Sequence, residues 1–458
     1  MSQQPNGTAP NERPSIFQLA FPSILGNLLY AIVGMVQTKA VSELGAQALA
    51  ATGAGQRVFF ALQAVMMAIG AGTTALVARA WGAGDHTEAS RVTMASLVLS
   101  GVFGLALTIP GLFIARPVAS IFGLDEHTLD LAADNIRWLA AFNLAYAVNF
   151  IMSSALRATG DAWTPLAVGA LVNVVNIPLL YMFVFGHWGA PAMGVAGAAL
   201  AAGLAFTVGM IVLLALWFRG KLRVTHQRGG WFRRERLKRL LGIGYPAAVE
   251  QLIFQSGFFV FLTLIGRFYG TEAFAAYNIG VNLLNICMVV GFGFSIAGST
   301  LTGQFLGAND PERAMRSAWR ATALAALSMG ALGLVVIAFA NPLAAYFLGD
   351  DEITIRHTVE FTWLLGLMMP LMAIEFAIGG ALRGAGDTRF PLIATFFGLI
   401  GMRCGLAAIF TWMGLPVVWV YGALIGDYVL KNAMLTLRFR SGRWKYIVRN
   451  EEFDFART

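Results

Sequence analysis

Runs of about twenty apolar residues, separated by short polar punctuation, recur from residue 16 to residue 440. Crossing about 30 Å of hydrocarbon takes roughly 20 helical residues at 1.5 Å each. Twelve segments reach that length: 16–41, 48–78, 92–115, 131–156, 163–187, 194–218, 240–267, 272–304, 314–340, 357–382, 388–413 and 416–440. Gly, Pro and charged clusters end them, as at Gly82-Ala83-Gly84-Asp85 and Gly160-Asp161. The runs do not alternate apolar and polar residues over about ten positions, which argues against transmembrane β-strands. The segment 1–15 is polar and lacks the basic-then-apolar order of a cleaved leader, so a short disordered tail is expected there. The pattern predicts an all-α integral membrane protein of twelve transmembrane helices.

Composition sharpens this expectation. The chain is 57% hydrophobic and 12% charged, whereas soluble domains carry about 25% charged residues. A nucleic-acid-binding module, a disordered scaffold and an ordinary soluble enzyme are excluded. Cys287 and Cys404 both lie in apolar runs, which points to neither a disulfide framework nor a metal site. Topology accounts for the net charge of +8. The connection between spans six and seven holds Arg219, Lys221, Arg223, Arg228, Arg233, Arg234, Arg236, Lys238 and Arg239, and the C-terminal tail adds Arg438, Arg440, Arg443, Lys445 and Arg449. The opposite face carries Arg116, Arg137, Arg267 and Arg356. The positive-inside rule then places both termini in the cytoplasm of a cell whose inner membrane holds the protein.

The chain also repeats itself. Gly45-Ala-Gln-Ala-Leu-Ala-Ala51 recurs as Gly270-Thr-Glu-Ala-Phe-Ala-Ala276, and Trp81-Gly-Ala-Gly-Asp85 as Leu306-Gly-Ala-Asn-Asp310. Ala155-Leu-Arg-Ala-Thr-Gly-Asp161 with Pro165 matches Ala381-Leu-Arg-Gly-Ala-Gly-Asp387 with Pro391, and Pro22 and Pro246 open the two copies. Six spans per copy give both the same orientation, related by an axis along the membrane normal, with substrate sites at the repeat interface. The expected organisation is a tail (1–15), an N-terminal lobe (16–218), a basic linker (219–239), a C-terminal lobe (240–440) and a tail (441–458). Two lobes that rock against each other suit alternating access.

These residues resemble the multidrug and toxic compound extrusion (MATE) family over nearly the whole chain. The likeness rests on Leu156-Arg-Ala-Thr-Gly-Asp161, Gly194-Val-Ala-Gly-Ala-Ala199, Gly293-Phe-Ser-Ile-Ala297 with Gly303-Gln304, Leu382-Arg-Gly-Ala-Gly-Asp-Thr-Arg389 and Arg438-Phe-Arg-Ser-Gly-Arg-Trp444. The second half looks most like the DinF-like branch. The resemblance implies a V-shaped pair of six-helix bundles with pseudo-two-fold symmetry. It also implies an antiporter, expected as a monomer without cofactor, that expels organic cations or amphipathic drugs and metabolites in exchange for H⁺ or Na⁺. One departure stands out. Many members carry an aspartate in the first span within a Val-Asp-Thr context, and here the stretch reads Val36-Gln37-Thr38. The acids of the first half, from Glu12 to Asp161, all fall in loops or at span ends.

Ionisable groups at membrane depth are costly and demand a reason. Glu250 lies about 15 Å into span seven, where it would exchange a proton or bind a cation; the plainer role is to cap polar groups beside the kink at Pro246. Glu375 in span ten is a second ion-coupling candidate, with Arg403 as its expected partner. Asp427 and Lys431, in favourable i, i+4 order, are expected to form a structural ion pair. Spacing groups the neutral polar residues. Asn278, Asn282 and Asn285 form one stripe of span eight; Asn27, Tyr30 and Gln37 share a face of span one; Gln251 and Gln255 stack beside Glu250; Asn173 pairs with Asn176 in span five. Such residues line a wet cavity or bind helices together. Arg57 occupies the repeat position of Asn282, and either pairs with an acid of the other lobe or binds an anionic group. Arg157 with Asp161, and Arg383 with Asp387, are expected to fix the corners of each lobe.

Two other function classes compete. A lipid-linked precursor flippase would need several basic groups in a central cavity, for which Arg57 and Arg403 are candidates. A membrane enzyme finds no support in motifs: the chain has no Walker A loop, no His-Glu-x-x-His and no Gly-x-Ser-x-Gly.

Overall fold

A computed structural model describes residues 14–227, 229–342, 344 and 352–447, except the side chains of 271, 272, 274, 275, 278, 279, 283 and 352–354. Most of both expected terminal tails lies outside the described residues. Among the described residues, ten helices are long and apolar enough to cross a membrane: Ile16–Ser42, Ala46–Gly82, His86–Phe113, Trp163–Phe185, Gly194–Phe218, Arg234–Gly270, Gly280–Gly307, Pro311–Ala338, Ile355–Gly384 and Arg389–Trp412. A bent pair, Glu126–Ala141 and Asn143–Ala158, meeting at 49°, makes the fourth span. Val417–Arg440 is the twelfth, its apolar run interrupted by Asp427 and Lys431. Helix is the natural solution here, because it satisfies every backbone group within the segment where no water is at hand. The protein is an integral membrane protein of twelve helices in two six-helix bundles.

Three boundaries differ from the hydropathy reading. The fourth span bends at Phe142 (φ −98°, ψ 8°) and follows a short helix, Ala115–Ser120. Span seven starts at Arg234, so the last turns of the basic linker are helical. Spans seven and eight are parted by a single residue, Gly270, at φ 85°, ψ −176°. That conformation is essentially restricted to glycine, and the repeat-related Gly45 adopts nearly the same one (φ 104°, ψ 173°) before span two.

The other repeated motifs also prove to be turns. Gly84 and Asn309 both have positive φ, and the following Asp85 and Asp310 cap spans three and nine through the backbone N–H groups of Glu88 and Arg313. Gly160 and Gly386 turn the chain at φ 92° and 89°. Asp161 accepts from the Thr164 N–H and hydroxyl, while Asp387 accepts from Phe390 N and Arg438 Nε. The expected Arg157–Asp161 and Arg383–Asp387 pairs are therefore not formed. Each aspartate is committed to the start of the next span, where its charge favours the helix N-terminus.

The lobes meet in the halves of their helices nearest the basic face. The Gln304 carbonyl leaves no room for a Cβ on Gly82, and the Arg79 carbonyl leaves none on Gly307. Gly72 lies against Leu240, Gly244 against Ala68 and Gly293 against Ala20 and Ile24 in the same way. Hydrogen bonds from Gln304 Nε2 to Ala158 O (2.8 Å) and from Thr300 Oγ1 to Arg157 O (3.3 Å) seal this crossing. Beside it, Arg236 of the linker holds Glu88 through two hydrogen bonds of 2.8 and 2.7 Å and donates to Gly230 O and Trp231 O.

Candidate functional site

Helix periodicity carries the contact stripes outward from this crossing. Arg57 stands about five turns before Ala75 and seven before Gly82, on the azimuth that meets the other lobe. It is exposed, as are Gly53, Gln56, Phe60 and Ala61 around it. Asn282 stands about seven turns before Gly307, and both Asn282 and Asn285 are exposed. Asn278 is in the same helix, but its side chain lies outside the described residues. On span seven, Gln251 and Gln255 follow Gly244 by about two and three turns, and on span one Asn27 follows Ala20 by two. By this periodicity, amides and one guanidinium stand on the sides of the lobes that face each other past the crossing, where the lobes diverge into a cleft they would wall. Among the described residues, neither Arg57 nor any of these amides has a hydrogen bond or ion pair.

Glu250 points elsewhere. Six residues beyond Gly244, it is turned by about 120° into the C-terminal lobe. Its Oε1 lies 2.6 Å from Arg383 Nη2 and accepts from Thr395 Oγ1 at 3.1 Å. Ile243 O accepts a hydrogen bond from Thr388 Oγ1 at the foot of span eleven, so Glu250 stands about 10 Å deeper than that foot. It is an ion-paired carboxylate rather than a cap beside Pro246.

Further in the same lobe, Lys431 Nζ sits 3.0 Å from Glu375 Oε1 and 3.3 Å from Asp427 Oδ1, and Arg403 pairs with the other oxygen of Asp427. The expected Glu375–Arg403 pair is replaced by Glu375–Lys431. The physical reason is local: Phe396–Cys404 winds as a π-helix, which shifts the face that Arg403 presents. Gly398, within that stretch, has no room for a Cβ against Asp427 and Lys431. Asp427, Lys431 and Arg403 are 0%, 1% and 4% exposed. Tyr428 supports both cations, with Lys431 Nζ 4.4 Å and Arg403 Cζ 5.6 Å from its ring. Glu375 Oε2 is buried without a hydrogen-bond partner. Three acids and three bases thus form two neutral groups inside the C-terminal lobe.

The N-terminal lobe has no counterpart to this buried charge group among the described residues. Tyr146 packs against Phe59, Phe150 and Phe206 at 5.3–5.9 Å, and Tyr30 joins through Phe206 at 6.0 Å. Asn149 Nδ2 donates to Ala145 O and Phe206 O. Gln37 is half-buried on the Tyr30 side of span one. Asn173 and Asn176 are each 7% exposed, as side chains packed between helices are. Sequence reasoning missed the partners Arg383 and Thr395 of Glu250, and this aromatic group. The repeated Arg157/Arg383 motif was the available signal for the first, but a pair between residues 133 positions apart leaves no trace in local spacing.

Comparison with known proteins agrees with this architecture. The MatE family model matches residues 22–182 and 246–427. A relative from Thermotoga maritima, named a probable multidrug resistance protein NorM, is 29% identical over 452 residues, covering 96% of this chain and 95% of its own. A Bradyrhizobium diazoefficiens protein of the same name is 28% identical, covering 96% of each. Among solved structures, a MOP superfamily transporter from Pyrococcus furiosus superposes with TM-score 0.89 over 96% of this chain and all of that one, at 24% identity. A MATE protein in complex with MaD3S gives 0.87 at 25% identity, over 96% of this chain and all of its own.

Proposed function

Since the chain belongs to the MatE family and is thus a transporter rather than an enzyme, we propose that it is a secondary antiporter that exports amphipathic organic compounds in exchange for H⁺ or Na⁺. The relatives' names support drug efflux as its task. One observation carries the coupling: a part-buried carboxylate–guanidinium pair, Glu250–Arg383, about 10 Å deeper than the foot of span eleven and bonded to Thr395. An ion that takes Glu250 from Arg383, by protonation or by coordination, changes the charge balance between spans seven, ten and eleven. These three spans then shift relative to each other, and the lobes rock. Glu375, with one free buried oxygen, is the second coupling carboxylate. The Asp427–Lys431–Arg403 group serves as the rigid support of both.

The basic face with the termini lies in the cytoplasm by the positive-inside rule, so the closed crossing faces inward and the cleft opens outward, across the inner membrane of the cell. The protein works as a monomer, without a cofactor beyond the coupling ion. The flippase alternative loses half its basic set, because Arg403 is buried against Asp427.

The test is dye efflux from proteoliposomes with ΔpH and ΔNa⁺ imposed separately. The wild-type protein responds to one gradient. Glu250→Gln reduces gradient-driven efflux to the level of protein-free vesicles at equal protein content. Efflux by the variant that still follows the gradient would show that Glu250 is not the coupler.

A further inference from the structure

The charges around the cleft do not balance. Among the described residues of the C-terminal lobe, each membrane-embedded acid has a base against it: Glu250 has Arg383, Glu375 has Lys431, and Asp427 has Lys431 and Arg403. In the N-terminal lobe Asp134, eight residues into the fourth span, is paired with Arg137 at 2.7 Å, and the other carboxylates lie in loops or at span ends. Arg57 is left as an exposed guanidinium about 16 Å from the start of span two. The amides that share the cleft, Gln251, Gln255, Asn282 and Asn285, add hydrogen-bonding capacity but no charge. A cationic substrate would therefore meet repulsion from Arg57 with no unpaired acid, among the described residues, to offset it.

We propose that the substrate carries an oxyanion, a carboxylate, sulfonate or phosphate, on an amphipathic aromatic body, and that Arg57 binds this group in the cleft. The planar fork of arginine matches an oxyanion bidentately. Phe60, one turn further along the same stripe and 54% exposed, offers a face for the ring. The opposing amides hydrogen-bond to the oxyanion from the other lobe, so the two lobes grip it together. Because Glu250 is turned away from the cleft, ion and substrate occupy different places, and coupling runs through the movement of span seven. This proposal rests on the transporter reading above, but its binding step stands apart from the coupling step.

The test uses the full chain and two probes of opposite charge, carboxyfluorescein and ethidium. In detergent, fluorescence anisotropy reads equilibrium binding without any gradient. The wild-type protein is expected to bind carboxyfluorescein more tightly than ethidium. Arg57→Gln weakens carboxyfluorescein binding at least tenfold, Arg57→Lys retains most of it, and Arg57→Glu inverts the preference, all with unchanged gel-filtration profiles. Transport in phosphatidylcholine vesicles follows the same order. Anion binding that ignores Arg57, or tighter binding of ethidium by the wild-type protein, overturns the proposal. So does Arg57-dependent binding that vanishes when phosphatidylglycerol is added, which assigns Arg57 to a lipid headgroup. Binding that obeys Arg57 with no gradient-driven efflux would support this inference and sink the antiporter reading, so the two fail separately.

Discussion

The two lobes share their turns and differ in their interiors. Arg157 and Arg383 occupy the same repeat position, yet Arg383 faces Glu250 at 2.6 Å, whereas Arg157 makes only a 3.4 Å contact with Ser154 Oγ and, among the described residues, no ion pair. The cause lies four residues after each opening proline: Pro246 leads to Glu250, Pro22 to Gly26. Where the second lobe has Glu375, the first has Asn149, a neutral amide bound to two backbone carbonyls. Both lobes pack aromatic rings, the second around Tyr277, Phe361 and Tyr421, but among the described residues the fully buried charge group Asp427–Lys431–Arg403 belongs to the second lobe. The frame depends on a few turns and close helix crossings, and leaves the interior free to take either chemistry. The division places ion coupling in the C-terminal lobe and the charged group of the cleft, Arg57, in the N-terminal lobe.

The strongest way to break this asymmetry is to unbalance the buried charges. Asp427→Asn leaves Arg403 and Lys431 with Glu375 as their nearest acid, in a site where these cations are almost fully buried. Removing one partner of a buried pair costs about 3–5 kcal/mol, because the remaining charge stays unpaired. The SDS-unfolding midpoint in mixed micelles should fall accordingly. Adding Arg403→Met should recover part of the loss, as the uncompensated cation goes with it. A change below about 1 kcal/mol would mean that water reaches the group and that the lobe is not held by these pairs.

The fold was legible in the sequence because the bilayer imposes one periodicity and one length on every span, and because the repeats mark the turns. The cleft was partly legible: Arg57 and Asn282 share a repeat position, and both fall on the contact azimuth. The ion pairs were not. Depth alone makes Arg403 a partner for Glu375, whereas the π-helical stretch Phe396–Cys404 turns it to Asp427. The polarity of Asn173 does not tell a buried helix contact from an open wall, and the structure leaves it 7% exposed. Side-chain pairing across four helices depends on depth and rotation together, and hydropathy records neither.

A smaller effect tests the shared frame. If Gly45 and Gly270 do the same work, Gly45→Ala and Gly270→Ala should each destabilise the protein by about 1–3 kcal/mol, the cost of forcing a Cβ into this backbone region. Nothing lies within 4 Å of a Cβ at Gly45, so there the penalty is conformational rather than steric. Matched losses in the SDS-unfolding midpoint would show that the symmetry extends to energetics. A loss at one site alone would confine the likeness to shape.

The smallest effect is also the finest probe of how the copies diverged. Gly84 and Asn309 occupy the same left-handed position, at φ 78° and 58°, ahead of equivalent Asp caps. Asparagine tolerates that conformation because its short polar side chain bonds locally, whereas alanine does not. Gly84→Asn and Asn309→Gly should therefore each change stability by less than about 1 kcal/mol, with glycine losing slightly through the entropy of the unfolded chain. Alanine at either position should cost about 1–2 kcal/mol. If asparagine at 84 were as harmful as alanine, the two turns would differ in more than the identity of one residue, and the common frame would have to be sought in the helix crossings instead.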